Sequence, residues 1–440
     1  MLVNNVSRRF QLSRWQYSLL AIFAIALIIR GAFVLTLKDG FYFPDSVDYS
    51  KAAVNLVAHG EFSEGYGRAP GYPVLLAGIY ALFGQGILIV RLVETLLGAY
   101  LAVVIAMIAK RIAGEAVGTL SGLLWSIYPT GIFIVGLVYP TNLATLLLAC
   151  ATLCMVPKVY TGLTPRKAIL GGIFFGLAAL TVSVVLATIL AVALWIMYWQ
   201  AGRRLWLISL FLLGTALPLA PWTVRNFLMY DRWVLIEPRV VVRVPPASDT
   251  LDEPEPQQAS ATGNSILDNA GVFARRFTQE FGYFWELSPH RIYMNASIHR
   301  EMMHEEDTRI VRHTVFGTSL TSLVSVLTAG PLFLFALVGT ASMVRQKDRR
   351  RALSLFCATV LSFAITYSFF FGKMRYRIPV EPYLVILAAY GLRHLWLWFM
   401  QRSATDQTPA SIFDQMSAVR SNGGSPHSPV ESPAGQPSPL

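Results

Sequence analysis

Charge is what this chain has least of. Only 14% of its 440 residues are Asp, Glu, Lys or Arg, whereas 54% are hydrophobic. A soluble domain carries about a quarter charged residues. So little charge cannot dress a globule for water, which excludes an ordinary soluble enzyme. Cysteine is scarce as well. Cys150, Cys154 and Cys357 all lie in apolar runs, so no disulfide framework is implied. Cys150 and Cys154 share a helix face and read as packing residues. The histidines define no metal centre, because His290, His299, His304 and His313 lie in a polar stretch without tight ligand spacing. No repeat of fixed period stands out, and no parallel or inverted halves mark a secondary transporter. The net charge of +11 invites a nucleic-acid reading. The placement of the cations excludes it. They sit in short clusters between apolar runs instead of on one polar domain.

What is present is long apolar sequence. Runs such as 116–157 and 168–202 are free of acids and bases, or nearly so. A helix needs about 20 apolar residues to cross the hydrocarbon. The basic clusters at Arg8/Arg9/Arg14, Lys110/Arg111, Lys158/Arg166/Lys167, Arg203/Arg204 and 345–351 read as cytoplasmic by the positive-inside rule. The expected fold is an all-α polytopic membrane protein of about ten transmembrane helices with both termini inside. Their expected positions are 15–37, 87–109, 116–136, 141–157, 168–181, 183–199, 205–224, 316–344, 352–371 and 378–400. The first stretch is long for a signal peptide and lacks a small-residue cleavage site, so it reads as a retained span.

This topology leaves two segments outside. Segment 38–86 holds five acids against three bases, and 225–313 holds thirteen against ten, which fits an external location. The apolar stretch 72–83 is too short to span and reads as a juxtamembrane helix in the outer leaflet. Residues 245–264 read as a flexible loop. Residues 268–285 show apolar positions near helical spacing and read as an amphipathic interfacial helix. The expected organisation is a cytoplasmic N-terminus (1–14), a transmembrane module (15–224) with its first outer loop at 38–86, an external loop (225–315), C-terminal transmembrane helices (316–400) and a disordered cytoplasmic tail (401–440). Tyr128-Pro129-Thr130-Gly131 should break the third span, and Gly118/Gly122 and Gly172/Gly176 have the spacing for close helix contact.

Candidate functional residues stand where these rules are broken. Lys373, Arg375 and Arg377 form a cationic lip on the outer side, against the positive-inside bias. An anionic ligand at the interface accounts for them, since arginine holds phosphate through a planar fork. Snorkelling to lipid headgroups is the plainer alternative. In the first outer loop, Asp45 and Asp48 follow Pro44, with Tyr49, Ala53 and Leu56 on one stripe. Asp45 could be an N-cap with Asp48 completing a capping-box-like turn. It could equally be a general base facing the cationic lip. With other carboxylates, Asp45 and Asp48 could hold a divalent cation, Mg²⁺ or Mn²⁺, with no ligand count fixed. Arg68 lies in Arg68-Ala69-Pro70-Gly71-Tyr72-Pro73 at the outer interface. Arg225 ends a span beside Trp222, where anchoring is the alternative. Arg91 and Glu94 are one turn apart and are expected to pair, and Arg30 has no local partner.

Four of these pieces, in order, carry a likeness. They are Pro44-Asp45-Ser46 with Tyr49, Arg68-Ala69-Pro70-Gly71-Tyr72-Pro73, Pro221-Trp222 with Arg225-Asn226, and Arg375-Tyr376-Arg377 with Pro379. Over residues 15–400 the chain resembles the GT-C superfamily of polyprenyl-phosphate-sugar-dependent glycosyltransferases. It is most like bacterial proteins similar to the protein mannosyltransferases and the aminoarabinose transferases of lipid A. The resemblance implies inverting transfer of a sugar from a polyprenyl-phosphate donor to a glycan, lipid or protein acceptor. It implies a bacterial cytoplasmic membrane with the site facing the periplasm, and no nucleic acid. It makes Asp45 the catalytic base or metal-contacting residue. It makes Arg375 and Arg377 the holders of the carrier phosphate, with Asp48, Tyr49, Arg68, Arg225 and Lys373 as further substrate contacts. Many members have a carboxylate in the turn that here reads Tyr139-Pro140-Thr141-Asn142, so that second acid is either absent or replaced by Asp48. A polymerase or ligase of lipid-linked glycans also uses outer loops and arginines, but should not depend on Asp45. A transporter should carry its key charges near mid-membrane.

Overall fold

The computed structural model describes residues 13–62, 66–156, 162–237, 266–288, 318–370 and 372–406. The loop expected at 245–264, the four histidines at 290–313 and the tail beyond 406 lie outside them. Regular structure among the described residues is helical throughout. Lipid offers the backbone no hydrogen bonds, so a spanning segment must satisfy its own N–H and C=O groups. The order is α1 (Arg14–Leu35), α2 (Pro44–His59), α3 (Gly71–Phe83), α4 (Ile87–Ala113), α5 (Glu115–Ile127), α6 (Pro129–Phe133), α7 (Thr141–Met155), α8 (Pro165–Thr181), α9 (Val185–Trp199) and α10 (Arg204–Tyr230). After these come α11 (Ile266–Phe284), α12 (Thr318–Val344), α13 (Lys347–Phe369) and α14 (Glu381–Asp406). A 3₁₀ turn, Met374–Val380, leads into α14. The chain divides into two compact units, Met1–Arg393 and His394–Leu440.

The protein is polytopic, but the expected number of spans is not met by length alone. Each of the ten expected segments contains a helix. Among the described residues six helices are long and apolar enough to cross a membrane, and α5 with the α6 segment makes a seventh if taken as one span. The helices α7, α8 and α9 have 15, 17 and 15 residues, short of the roughly 20 that full hydrocarbon thickness requires. The stretch 72–83 is the 13-residue helix α3. The expected amphipathic helix is α11, whose Phe277 ring packs 5.2 Å from Phe369 of α13 while Arg275 stays exposed.

The break at Pro129 bends the α5–α6 pair by 59°. Proline has no N–H, so the carbonyl of Trp125 loses the donor that an unbroken helix would bring. Arg30 of α1 fills the gap. Its guanidinium, fully buried, donates to the carbonyls of Trp125 (3.0 Å), Ser126 (3.1 Å) and Gly131 (3.1 Å). The lone buried charge is thus a cap for a broken span. The glycine pairs do serve close packing. A Cβ on Gly118 or Gly122 would stand 2.8 Å from the Ala106 carbonyl oxygen or the Ile22 side chain, and one on Gly172 or Gly176 would strike the backbone of α10.

Candidate active site

Five chain segments far apart in sequence meet at one end of the helices. The first is the start of α2. Phe43, in extended conformation, is the N-cap and makes no side-chain cap bond; Pro44 occupies the first turn, where its missing N–H is harmless. The capping-box alternative for Asp45 is therefore overturned. Asp45 sits inside the first turn, and its carboxylate bonds to other segments. Its Oδ1 accepts from Arg68 Nη2 at 3.2 Å, and its Oδ2 accepts from the Tyr139 hydroxyl at 3.1 Å. Asp48 Oδ2 accepts from the same Arg68 nitrogen at 2.9 Å. One guanidinium thus serves two carboxylates. Burial works against the charge on Arg68, but Asp45, Tyr49 and Asp48 outweigh it and hold the guanidinium above its ordinary range. The side chains of Arg68 and Asp45 are 40% and 29% exposed, so the group opens to solvent on one side.

The second and third segments are the 66–70 loop and the turn before α7. Tyr49 lies edge-on to Tyr72 and Tyr139, with ring centroids 5.7 and 5.9 Å away, and the Arg68 guanidinium stands over its ring. Burial, helped by Asp45 against Arg68, pushes the Tyr49 phenol up to about 12. Burial likewise raises Tyr139, although Arg375 opposes it. The Tyr139 hydroxyl donates to Asp45. The residue before Tyr139 is strained: buried Val138 has φ 52°, the left-handed region that costs a side-chain-bearing residue about 1–2 kcal/mol.

The fourth segment is the cationic stretch. Arg375 lies against aromatic rings, its guanidinium carbon 5.7 Å from the Tyr139 centroid, 5.9 Å from Phe43 and 5.1 Å from Tyr376. Tyr376 stacks on Tyr367 at 4.2 Å with parallel planes. Arg375 makes no ion pair among the described residues, and its Nε is buried without a hydrogen-bond partner. Its Nη2 donates to the Tyr376 hydroxyl at 3.3 Å, and a guanidinium with no ion-pair partner of its own is suited to an anion. Arg377 is different. It is 1% exposed, pairs with Glu381 through Nε at 3.0 Å, and donates from Nη1 to the carbonyls of Phe284 and Glu286 at 2.9 Å each. The two arginines that look alike in sequence point to opposite environments. Lys373 is half-buried just before them, and its carbonyl accepts the Tyr376 N–H.

The fifth segment was not singled out from sequence. Residues 234–236 fold back on the end of α10. The Trp222 indole N–H, the Thr223 hydroxyl and the Asn226 amide all donate to carbonyls there. This carries Glu237 to Ser183, whose hydroxyl donates to it at 3.2 Å. Burial raises the Glu237 carboxyl, against the pull of Ser183, the Ala69 N–H and Arg68. No local pattern announces this contact, because it depends on the chain reversing after α10. Arg225 is half-buried beside the same fold, 4.7 Å over Trp222, which packs edge-on to Phe62.

The expected pairing of Arg91 with Glu94 does not occur. Arg91 donates to the carbonyls of Lys38, Gly40 and Gly136, and Glu94 accepts from Asn142. Arg91 turns to the 38–40 loop and Gly136, and Glu94 turns to Asn142 at the start of α7; three backbone carbonyls thus take up the guanidinium's donors. Among the described residues no group of three or more His, Cys, Asp or Glu is placed to hold a metal. Arg68 bridges Asp45 and Asp48. Two carboxylates by themselves do not form a closed all-protein site for Mg²⁺ or Mn²⁺.

Residues 67–224 match the family described as dolichyl-phosphate-mannose-protein mannosyltransferase. Among solved structures the chain is similar to ArnT from Cupriavidus metallidurans in the apo state, with a TM-score of 0.54 and 16% identity over 87% of this chain and 60% of that one. The same protein bound to undecaprenyl phosphate gives a TM-score of 0.53 and 15% identity over 85% of this chain and 60% of that one. The archaeal oligosaccharyltransferase AglB from Archaeoglobus fulgidus, in complex with an inhibitory peptide and a dolichol-phosphate, gives 0.54 and 13% over 90% and 52%. No curated protein matches. The chain thus spans between half and two thirds of the length of these structures. At the level of fold, the resemblance to GT-C glycosyltransferases holds.

Proposed function

We propose that this membrane protein is a glycosyltransferase that moves a sugar from a polyprenyl-phosphate donor to an acceptor at the outer face of the membrane. One observation carries the reading. A candidate base and a candidate phosphate holder meet on a single tyrosine, Asp45 accepting the Tyr139 hydroxyl and Arg375 lying against its ring. In this reading Asp45 takes the proton from an acceptor hydroxyl or amine as it attacks the anomeric carbon. The bond from that carbon to the carrier phosphate breaks, its electron pair leaves on the phosphate oxygen, and Arg375 stabilises the negative charge that grows there. Arg68 orients Asp45 and Asp48. Lys373 and Arg225 extend the positive surface toward the lipid headgroup region, and Arg377 holds the 3₁₀ turn in place through Glu381. The site would face the periplasm in a bacterial cytoplasmic membrane.

Purified protein incubated with a panel of polyprenyl-phosphate sugars should release free carrier phosphate. No release from any donor, with folded protein and a range of acceptors, would overturn the reading. A separate result is expected for sidedness. Cysteine introduced at Ser260 should react with an impermeant thiol reagent added from the periplasmic side. Labelling from the cytoplasm alone would reverse the topology and move the site to the wrong face.

A further inference from the structure

Two side chains of α4 stand behind the Asp45–Tyr139 contact without touching it. Arg91 and Glu94 are 2% and 1% exposed. From Arg91, Nη1 and Nη2 reach the carbonyls of Lys38 and Gly40, in the loop that enters α2, at 2.8 and 2.7 Å. Its Nε reaches Gly136, in the segment that enters the Tyr139 turn, at 3.0 Å. Glu94 accepts the Asn142 amide on its side chain at 2.6 Å and on its own carbonyl at 2.9 Å. Between Gly136 and Asn142 lies the strained Val138, with φ 52°. The Ser46 hydroxyl adds a bond to the Leu137 carbonyl at 3.0 Å.

We infer that Arg91 and Glu94 are positioning residues that hold the strained 136–142 turn so that the Tyr139 hydroxyl meets Asp45. The inference rests on Asp45 being the base. A branched side chain at positive φ relaxes unless the chain is fixed on both sides of it. Here Arg91 and Ser46 fix the near side, and Glu94 through Asn142 fixes the far side. Arg91 also anchors the loop that carries Asp45, so a single guanidinium sets the spacing of the two partners. Asn142 stands in the first turn of α7, three residues after Tyr139. Its use here is mechanical: it gives Glu94 a handle on Tyr139.

Asn142→Ser, too short to reach Glu94, should lower kcat by about 10- to 100-fold with donor KM unchanged, since displacement of about 1 Å near the reacting atoms has effects of that order. Glu94→Gln keeps an acceptor oxygen and should retain most of the activity, whereas Glu94→Ala should fall with Asn142→Ser. In a Tyr139→Phe background, Asn142→Ser should have no further effect, because both changes remove the same contact. Multiplying losses, or equal damage from Glu94→Gln and Glu94→Ala, would overturn the inference. A readout independent of turnover uses 3-fluorotyrosine at position 139. Its ¹⁹F resonance should move on Asp45→Ala in the parent protein and stay put on Asp45→Ala in the Asn142→Ser variant. If the parent protein releases no carrier phosphate, the transferase reading falls, and the fluorine shift still decides whether the clamp exists.

Discussion

Replacing Asp45 by Asn is expected to reduce turnover by about 10²–10⁴-fold, the range in which a general base contributes, while the protein stays folded. The carboxylate is not a helix cap, since Phe43 holds that position and makes no side-chain bond. Its ion pair with Arg68 is part-exposed on both sides, and such pairs contribute about 0–1 kcal/mol. Asn has the same shape, and its carbonyl can still accept the Tyr139 hydroxyl. What it cannot do is take a proton. Carrier-phosphate release by the variant, set beside its thermal unfolding, separates the two roles. An unchanged rate in a folded variant would make Asp45 a structural partner of Arg68. It would favour a polymerase or ligase of lipid-linked glycans, which should not need a carboxylate in the first outer loop.

Arg375→Ala should cost about 10²–10³-fold in turnover, the scale seen when a charge-stabilising donor is removed from a transition state. The donor phosphate gains charge as the glycosyl bond breaks, so a fixed guanidinium helps the transition state more than the bound donor. Lysine at this position should restore only part of the rate. It keeps the charge but loses the planar fork and the stacking against Phe43, Tyr139 and Tyr376. If Arg375 only anchored lipid headgroups, Lys would serve as well as Arg, and donor titrations in matched lipid would show parent-like kinetics. Arg377→Ala should behave otherwise. Its loss leaves Glu381 buried and unpaired, an event that costs about 3–5 kcal/mol. The expected signature is lowered stability, not a selective loss of turnover.

Much of the candidate site was legible before any coordinates. Asp45, Asp48, Arg68 and Arg375 stand out because each places charge near an apolar run, where a reason for it is needed, and Tyr49 through the helical stripe and the resemblance. The structure brings these five into one group. Lys373 and Arg225 also stand out, and their contacts are with their own neighbours, Tyr376 and Trp222. Arg377 stood out by the same logic, yet it is a buried strut. A charge at a span boundary signals only that something compensates it. Whether the partner is a ligand or Glu381 one helical turn away depends on which way the 3₁₀ turn faces. Glu237 was not distinguished from the other acids of the external segment, because only the reversal of 231–237 onto α10 brings it inward.

The sequence by itself determined that this is an all-helical membrane protein, where most of its helices run, and where Pro129 breaks one of them. Those properties are local: charge-free length, helical period and the missing N–H of proline are felt within a few residues. The tertiary structure alone decided what the buried charges do. Arg91 reaches carbonyls 45, 51 and 53 residues away, and Arg30 reaches 95 to 101 residues to the broken span. A guanidinium in a lipid-surrounded bundle must find acceptors, but the chain offers hundreds of carbonyls. Only the packing of α1, α4 and α5, set by small residues such as Gly118 and Gly122, selects which ones come within bonding distance.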